Sequence, residues 1–276
     1  MATSVVVIAQ GEMGAGIGTR LNVHGARVLT SLAGRSAASA ARAKAAGMTA
    51  LDDDARLVAE ADFLMSVIPP GEAVAFARRF APHLAKSAKK PVFVECNAIS
   101  AARANEAAAV IGPTGAPFVD GGIVGAPPSV DKPGGRLYVS GPDAPRALAL
   151  KDLGLDIRVV EGGIGAASAV KCSYAALTKG TQALGVALML GAMKAGVGPA
   201  VRAEIRSSQP MLWAYLERSI PNMYRKAYRW WAEMEEIGDH LGLAESGSRE
   251  IYRGMARLYE HLGPDQIAAL DQFLER

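Results

Sequence analysis

The first residues whose spacing carries chemistry are Ala9-Gln10-Gly11-Glu12-Met13-Gly14, directly after the apolar run Ser4-Val-Val-Val-Ile-Ala9. Ala9, Gly11 and Gly14 fall where the three glycines of a dinucleotide-binding turn would fall. Gly11 would let the backbone approach a pyrophosphate. Gly14 would let the following helix pack closely on the strand, and the free N–H groups of that helix would face the phosphates. Gln10, Gly11, Glu12, Met13 and Gly14 are thus the expected cofactor contacts. Ala9 replaces the first glycine of the pattern, and a plain tight turn is the alternative reading.

The end of the second strand selects the cofactor. A site for NAD places Asp or Glu there, about twenty residues past the glycines, to accept from the ribose 2′-hydroxyl. This chain has Ser31-Leu-Ala-Gly-Arg35-Ser36 and no acid. Arg35 could pair with a 2′-phosphate and Ser36 could add a hydrogen bond, which points to NADP(H). Ser36 could equally serve only as a helix cap.

These residues need a particular scaffold to hold them. Short apolar runs at 4–9, 26–31, 62–68, 91–95, 118–120, 136–140 and 157–160 predict strands, the first of them a strand buried on both faces. Helical stretches at 13–23, 36–46, 73–84 and 101–111 alternate with them. That alternation predicts βαβ units and a doubly wound, mainly parallel Rossmann-type sheet, the α/β class. Past Gly162 strand signals stop, and an all-α domain is expected over residues 163–276 after a dinucleotide-binding domain over 1–162. The run from Ile164 to Gly191 is apolar almost all round, which predicts a buried helix. Breaks are expected at Gly196-Val-Gly-Pro199, Pro221, Gly242 and Gly263-Pro264.

Composition narrows the function. The chain has 276 residues, half of them hydrophobic, and a formal net charge of +3. Nothing in that charge calls for a nucleic acid partner. The apolar opening is too short for a membrane span and lacks the flanks of a signal peptide, so a soluble, cytoplasmic protein is expected. Cys96 and Cys172 stand far apart, and His24, His83, His240 and His261 have no ligand spacing, so no metal site is expected.

Several stretches, in order along the chain, resemble the β-hydroxyacid dehydrogenase superfamily, which includes 3-hydroxyisobutyrate and 6-phosphogluconate dehydrogenases. They are Gly11-Glu-Met-Gly14, Ser66-Val67-Ile68-Pro69, Glu95-Cys-Asn97-Ala-Ile-Ser100, Val119-Asp-Gly-Gly122-Ile-Val124-Gly125, and Gly165 through Lys171. The remainder resembles the less-characterised helical domain of a bacterial branch. The resemblance implies cofactor contacts at Val67, Ile68, Pro69 and Asn97, and substrate contacts at Asn97, Gly122, Val124 and Gly125. It implies that Lys171 is the general acid or base that exchanges a proton with the substrate oxygen during hydride transfer. It also implies a homodimer paired through the helical domain.

Departures from the family pattern fall on the substrate side. A Ser-Thr pair is replaced by Asn97 and Ala98. A serine and two glycines become Val124, Gly125 and Ala126, and an asparagine one turn past the lysine becomes Ala175. Asn97 and Tyr174 are the candidate replacement contacts, Tyr174 with a phenolic proton of its own. Asn97 could instead cap the next helix, and Tyr174 could simply pack at a boundary. His240, beside Asp239, is a further substrate-side candidate. Glu233, Glu235, Glu236 and Asp239 read as a solvated acidic face, and Trp213, Trp230 and Trp231 as core or interface packing. The expected activity is an NADP(H)-dependent oxidoreductase acting on a hydroxy acid or related alcohol or carbonyl compound. Alternatives are reduction of a C=N bond, as in the superfamily's imine reductases, and cofactor binding without catalysis.

Overall fold

The computed structural model describes residues 2–275. The chain divides into two compact units, Met1–Cys172 and Ser173–Arg276. The expected division at 162/163 stands just before the long helix that the structural division cuts.

The first unit is built on one eight-stranded sheet in the order β3-β2-β1-β4-β5-β6-β7-β8. The strands are β1 (Ser4–Ile8), β2 (Arg27–Thr30), β3 (Thr49–Ala50), β4 (Phe63–Ser66), β5 (Val92–Glu95), β6 (Phe118–Val124), β7 (Arg136–Ser140) and β8 (Asp156–Val159). All neighbours are parallel except β6 and β7, which pair antiparallel. Its helices are α1 (Glu12–Val23), α2 (Ala37–Ala45), α3 (Asp54–Glu60), α4 (Ala73–Lys86), α5 (Ala101–Ile111) and α6 (Ala149–Asp152), followed by the start of α7 (Ala166–Lys194).

Apolar runs without polar alternation produce this sheet because both of its faces are covered. Val5 and Val7 join Val28, Met65 and Val94 in one core, while Val6 and Ile8 join Leu29, Leu64 and Phe93 in the other. Successive side chains point to opposite faces, so one strand feeds two cores. Each fully buried Val, Leu or Phe contributes roughly 1.5–3 kcal/mol relative to exposure.

The structure adds β3, α3 and α6 to the predicted elements. α3 had a signal in the sequence, since Asp53 caps it by accepting from the N–H groups of Ala55 and Arg56. β6 runs further than the predicted 118–120, continuing through Gly121 and Gly122 to Val124.

The second unit contains residues 173–194 of α7, then α8 (Gly198–Ser208), α9 (Pro210–Met223), α10 (Trp230–Leu241), α11 (Ser246–Glu260) and α12 (Pro264–Leu274). Three expectations need correction here. Pro221 does not interrupt a helix but lies in the last turn of α9, whose buried Leu216, Ile220 and Met223 face carries the helix past the missing N–H. Helix α7 is not buried all round. Ala183, Val186 and Met189 are buried, whereas Tyr174, Leu177, Leu184 and Leu188 are exposed. Glu233 is not part of a solvated face, because it forms a largely buried ion pair with Lys179, whose ammonium also lies 4.8 Å from the Trp230 ring centroid.

The tyrosines of this unit fasten α7. The hydroxyls of Tyr215, Tyr252 and Tyr259 donate to the carbonyls of Thr178, Ala176 and Lys179 at 2.9, 3.2 and 2.6 Å. No helix among the described residues is long and apolar enough to cross a membrane.

Candidate functional site

The carboxyl ends of β1, β2, β4, β5 and β6 gather most of the expected site residues into the first unit. At β1, Gly11 is the N-cap of α1 and supplies no side-chain hydrogen bond. The cap position itself thus offers the first turn of α1 no side-chain acceptor, and a Cβ at Gly11 would meet nothing within 4 Å. Gly14 answers a different need. A Cβ there would stand 1.8 Å from the Ala9 carbonyl oxygen, so only glycine lets α1 approach the strand. Open space above Gly11 and exposed amides beside it fit a pyrophosphate.

Gln10 turns its side chain inward. It is fully buried, and its amide donates to the hydroxyl of Thr30 and to the carbonyl of Ser31 at 3.0 Å. Among the described residues its Oε1 has no hydrogen-bond partner. The amide thus ties the glycine turn to the end of β2.

Past β2, Gly34 takes φ +70° and turns the chain toward Arg35. The Arg35 guanidinium is half-buried and makes no hydrogen bond or ion pair among the described residues. Ser36 caps α2 by accepting from the Ser39 N–H at 3.3 Å, the structural role weighed for it from sequence. Arg42, which sequence reasoning missed, reaches from α2 to donate through Nε to the Gln10 carbonyl at 2.8 Å.

The ends of β4 and β5 are knitted by Asn97. Its Oδ1 accepts from the Ile68 N–H at 2.6 Å, its Nδ2 donates to Ser66 Oγ at 2.8 Å, and its own N–H donates to Glu95 Oε1 at 2.8 Å. Asn97 does not cap α5, whose N-cap position is Ser100. It is buried and shapes the Val67-Ile68-Pro69 segment through the Ile68 amide. Burial, helped by the charge of nearby Asp120, pushes the Glu95 carboxyl up to about 8, against the opposing hydrogen bonds from Asn97 and Ser66. Glu95 therefore carries a proton at neutral pH.

Asp120, directly across from Glu95 in the β5–β6 register, anchors the start of α7. Its Oδ2 accepts from Ser140 Oγ at 2.8 Å and from the Gly165 and Ser168 N–H groups at 2.9 and 3.1 Å, while Oδ1 accepts from Ser168 Oγ at 2.5 Å. A carboxylate at a helix N-terminus satisfies amides that have no partner within the helix and complements the dipole. Neither Glu95 nor Asp120 received a role from sequence, although an acid inside an otherwise apolar strand was a signal for one.

Lys171 lies on α7 against β6. A Cβ at Gly122 would come within 2.8 Å of both the Lys171 Cβ and the Ala167 carbonyl, so the absence of a side chain at Gly122 sets how closely Lys171 approaches the sheet. Lys171 is half-buried, and among the described residues of the first unit its ammonium has no hydrogen-bond or ion-pair partner. Val124 is buried, and Gly125, at φ +125°, lies against Gly135 across the hairpin mouth.

Tyr174 and His240 belong to the second unit. Tyr174 is half exposed. His240 Nε2 lies 3.5 Å from Ser173 Oγ, and burial holds its imidazole below the ordinary histidine range. Among the described residues no group of three or more His, Cys, Asp or Glu is placed to hold a metal ion.

Residues 4–148 match the family model for the NAD binding domain of 6-phosphogluconate dehydrogenase. The chain belongs to that family. The glycine turn, Val67-Ile68-Pro69 and the β5 end thus lie in an NAD(P)-binding domain. Residues 192–262 match a Domain of unknown function (DUF1932), entirely within the helical unit. No curated protein matches the sequence. Among solved structures, a conserved protein of unknown function, described as structurally similar to 3-hydroxyacid dehydrogenases, is 26% identical. That match covers 95% of this chain and 100% of that one, at TM-score 0.67. The Mycobacterium tuberculosis 3-hydroxyisobutyrate dehydrogenase with L-serine is 19% identical over 99% of both chains, at TM-score 0.70. An imine reductase variant from Myxococcus stipitatus with NAD+ is 19% identical over 99% of this chain and 100% of its own, at TM-score 0.57. The last two share the fold with this chain.

Proposed function

We propose that the protein is an NADP(H)-dependent oxidoreductase that interconverts a hydroxy acid, or a related alcohol, and its carbonyl compound. The observation that carries this reading is a half-buried lysine, without a partner among the described residues of its unit, seated on β6 by Gly122, in the same unit as an open glycine turn at the start of α1. The nicotinamide supplies or accepts the hydride when bound. The chain's own part is to hold the dinucleotide by the α1 amides, to shape the Val67–Pro69 segment through Asn97, and to move one proton at Lys171 Nζ. In the oxidative direction the substrate hydroxyl loses its proton to Nζ as its carbon loses hydride. In the reductive direction the ammonium returns that proton to the carbonyl oxygen. Purified protein is expected to turn over NADPH or NADP+ with members of a carbonyl and alcohol panel. Turnover of cyclic imines alone would replace this reading with C=N reduction, and no turnover with any class would leave cofactor binding only.

The choice of NADP(H) rests on Arg35 and on the absence of any acid between Ser31 and Met48. Arg35→Ala should weaken NADPH binding by an amount on the order of 1.5–3 kcal/mol, the worth of a hydrogen bond to a charged group, and leave NADH nearly unchanged. Titration of both cofactors against both proteins measures this. Equal wild-type affinities for NADPH and NADH would sink the assignment.

The homodimer is proposed to form along α7. Tyr174, Leu177, Leu184 and Leu188 are 50, 67, 63 and 43% exposed, and their spacing alternates threes, fours and sevens as on a coiled-coil seam. Light scattering at micromolar concentration should give the mass of two chains for wild type and of one chain for the double variant Leu177→Glu, Leu184→Glu. A monomeric wild type contradicts the proposal.

A further inference from the structure

We propose that Arg42 is a second residue selecting the cofactor's 2′-phosphate, one that also holds the glycine turn in place. The inference rests on the NADP(H) reading above and extends it to a residue outside the Ser31–Ser36 segment.

A continuous polar row runs along one face of α2. Ser36 Oγ lies 3.3 Å from Ser39 Oγ, Arg42 Nη2 donates to Ser39 Oγ at 3.2 Å, and Arg42 Nε donates to the Gln10 carbonyl at 2.8 Å. The row thus joins the N-cap of α2 to the backbone of the turn over which any dinucleotide must pass. Ser36, Ser39 and Arg42 stand three residues apart, the spacing that puts them on one helix face.

Two hydrogen bonds fix the plane of the Arg42 guanidinium, and among the described residues its Nη1 meets no acceptor, which keeps both hydrogens for a ligand. A half-buried guanidinium fixed in this way loses little side-chain freedom on binding a phosphate. Its charge is not neutralised from within its own segment, because residues 31–48 contain Arg35, Arg42 and Lys44 but no Asp or Glu. A structural role alone would need only the Nε contact to Gln10. The remaining cationic edge, on the helix that follows the ribose-reading strand end, is what calls for an anion. Gln10 completes the arrangement. Its inward amide donates to Thr30 and to the Ser31 carbonyl, tying the turn that Arg42 holds to a strand end that carries no acid to repel a 2′-phosphate.

The test separates the two roles with cofactor fragments. Adenosine 2′,5′-bisphosphate and 5′-AMP differ only by the 2′-phosphate, and each is titrated calorimetrically into wild type, Arg42→Gln, Arg42→Lys and Arg35→Ala. Arg42→Gln should weaken the bisphosphate roughly ten- to a hundred-fold, as for loss of a charge-assisted hydrogen bond, and 5′-AMP by less than about three-fold. Arg42→Lys, which keeps the charge without the planar fork, should fall between wild type and Arg42→Gln. Equal weakening of both fragments by Arg42→Gln and Arg42→Lys would make Arg42 a support of the turn and nothing more, overturning the inference. No change in either fragment overturns it too. If wild type itself binds the two fragments equally, the NADP(H) reading fails along with it. If only Arg35→Ala discriminates between them, that reading stands and the Arg42 inference falls.

Discussion

Lys171→Met is expected to lower kcat by a factor of about 10² to 10⁴, the usual contribution of a positioned proton-transfer group, with cofactor affinity and melting temperature close to wild type. Methionine keeps the length and apolar stem of lysine and has similar helix propensity. No ion pair within the first unit is broken, because the ammonium has no partner there. Packing against Gly122 is made by the Lys171 Cβ, which methionine retains. Lys171→Arg should not rescue the rate, since a guanidinium does not release its proton at working pH. Steady-state kinetics on the best substrate of the panel, with thermal melts and NADPH titration alongside, give the answer. Near-normal kcat in Lys171→Met would move the proton to another donor, with the Tyr174 phenol next in line. Loss of folding or of NADPH binding would make the lysine structural.

The second large effect is on stability. Asp120→Ala should destabilise the first unit by about 3 kcal/mol or more. It strips the acceptor from two hydroxyls and two backbone amides in a fully buried position, and unsatisfied buried donors cost about 1–3 kcal/mol each when relaxation does not recover them. Asp120→Asn keeps one carbonyl oxygen and the shape of the side chain, so its loss should be smaller. Urea unfolding followed by circular dichroism ranks the three proteins. A loss below about 1 kcal/mol for Asp120→Ala would mean that water or other groups readily replace the carboxylate, and that the start of α7 is held by packing instead. Because Lys171 lies one turn past Ser168, Asp120→Asn should also lower kcat more than it raises the KM for cofactor.

Much of this protein follows from sequence period alone. Continuous apolar runs separated by helical stretches determine a parallel sheet with both faces covered, because no other arrangement hides such strands from water. The glycine turn is legible for a similarly local reason: strand, glycines and helix are consecutive, and Gly14 meets Ala9 within the same turn. The absence of an acid after β2 is likewise written in the chain.

What the sequence leaves open depends on which distant residues meet. Gly122 has no evident role until α7 is laid across it, and Asp120 is only an acid at the end of a strand until the amides of Gly165 and Ser168 arrive at it. Asn97 reads as a substrate contact or a helix cap. Only the tertiary structure shows its amide engaged by Ile68 and Ser66 on the neighbouring strand end. The acidic stretch at 233–239 and the apolar α7 mislead in opposite directions. Glu233 is taken into the interior by Lys179, and Leu177 and Leu184 are left outside it. Periodicity fixes how a helix is divided into faces only when its polar residues mark them, and α7 is apolar nearly all round, so the packing of its neighbours decided which side met solvent.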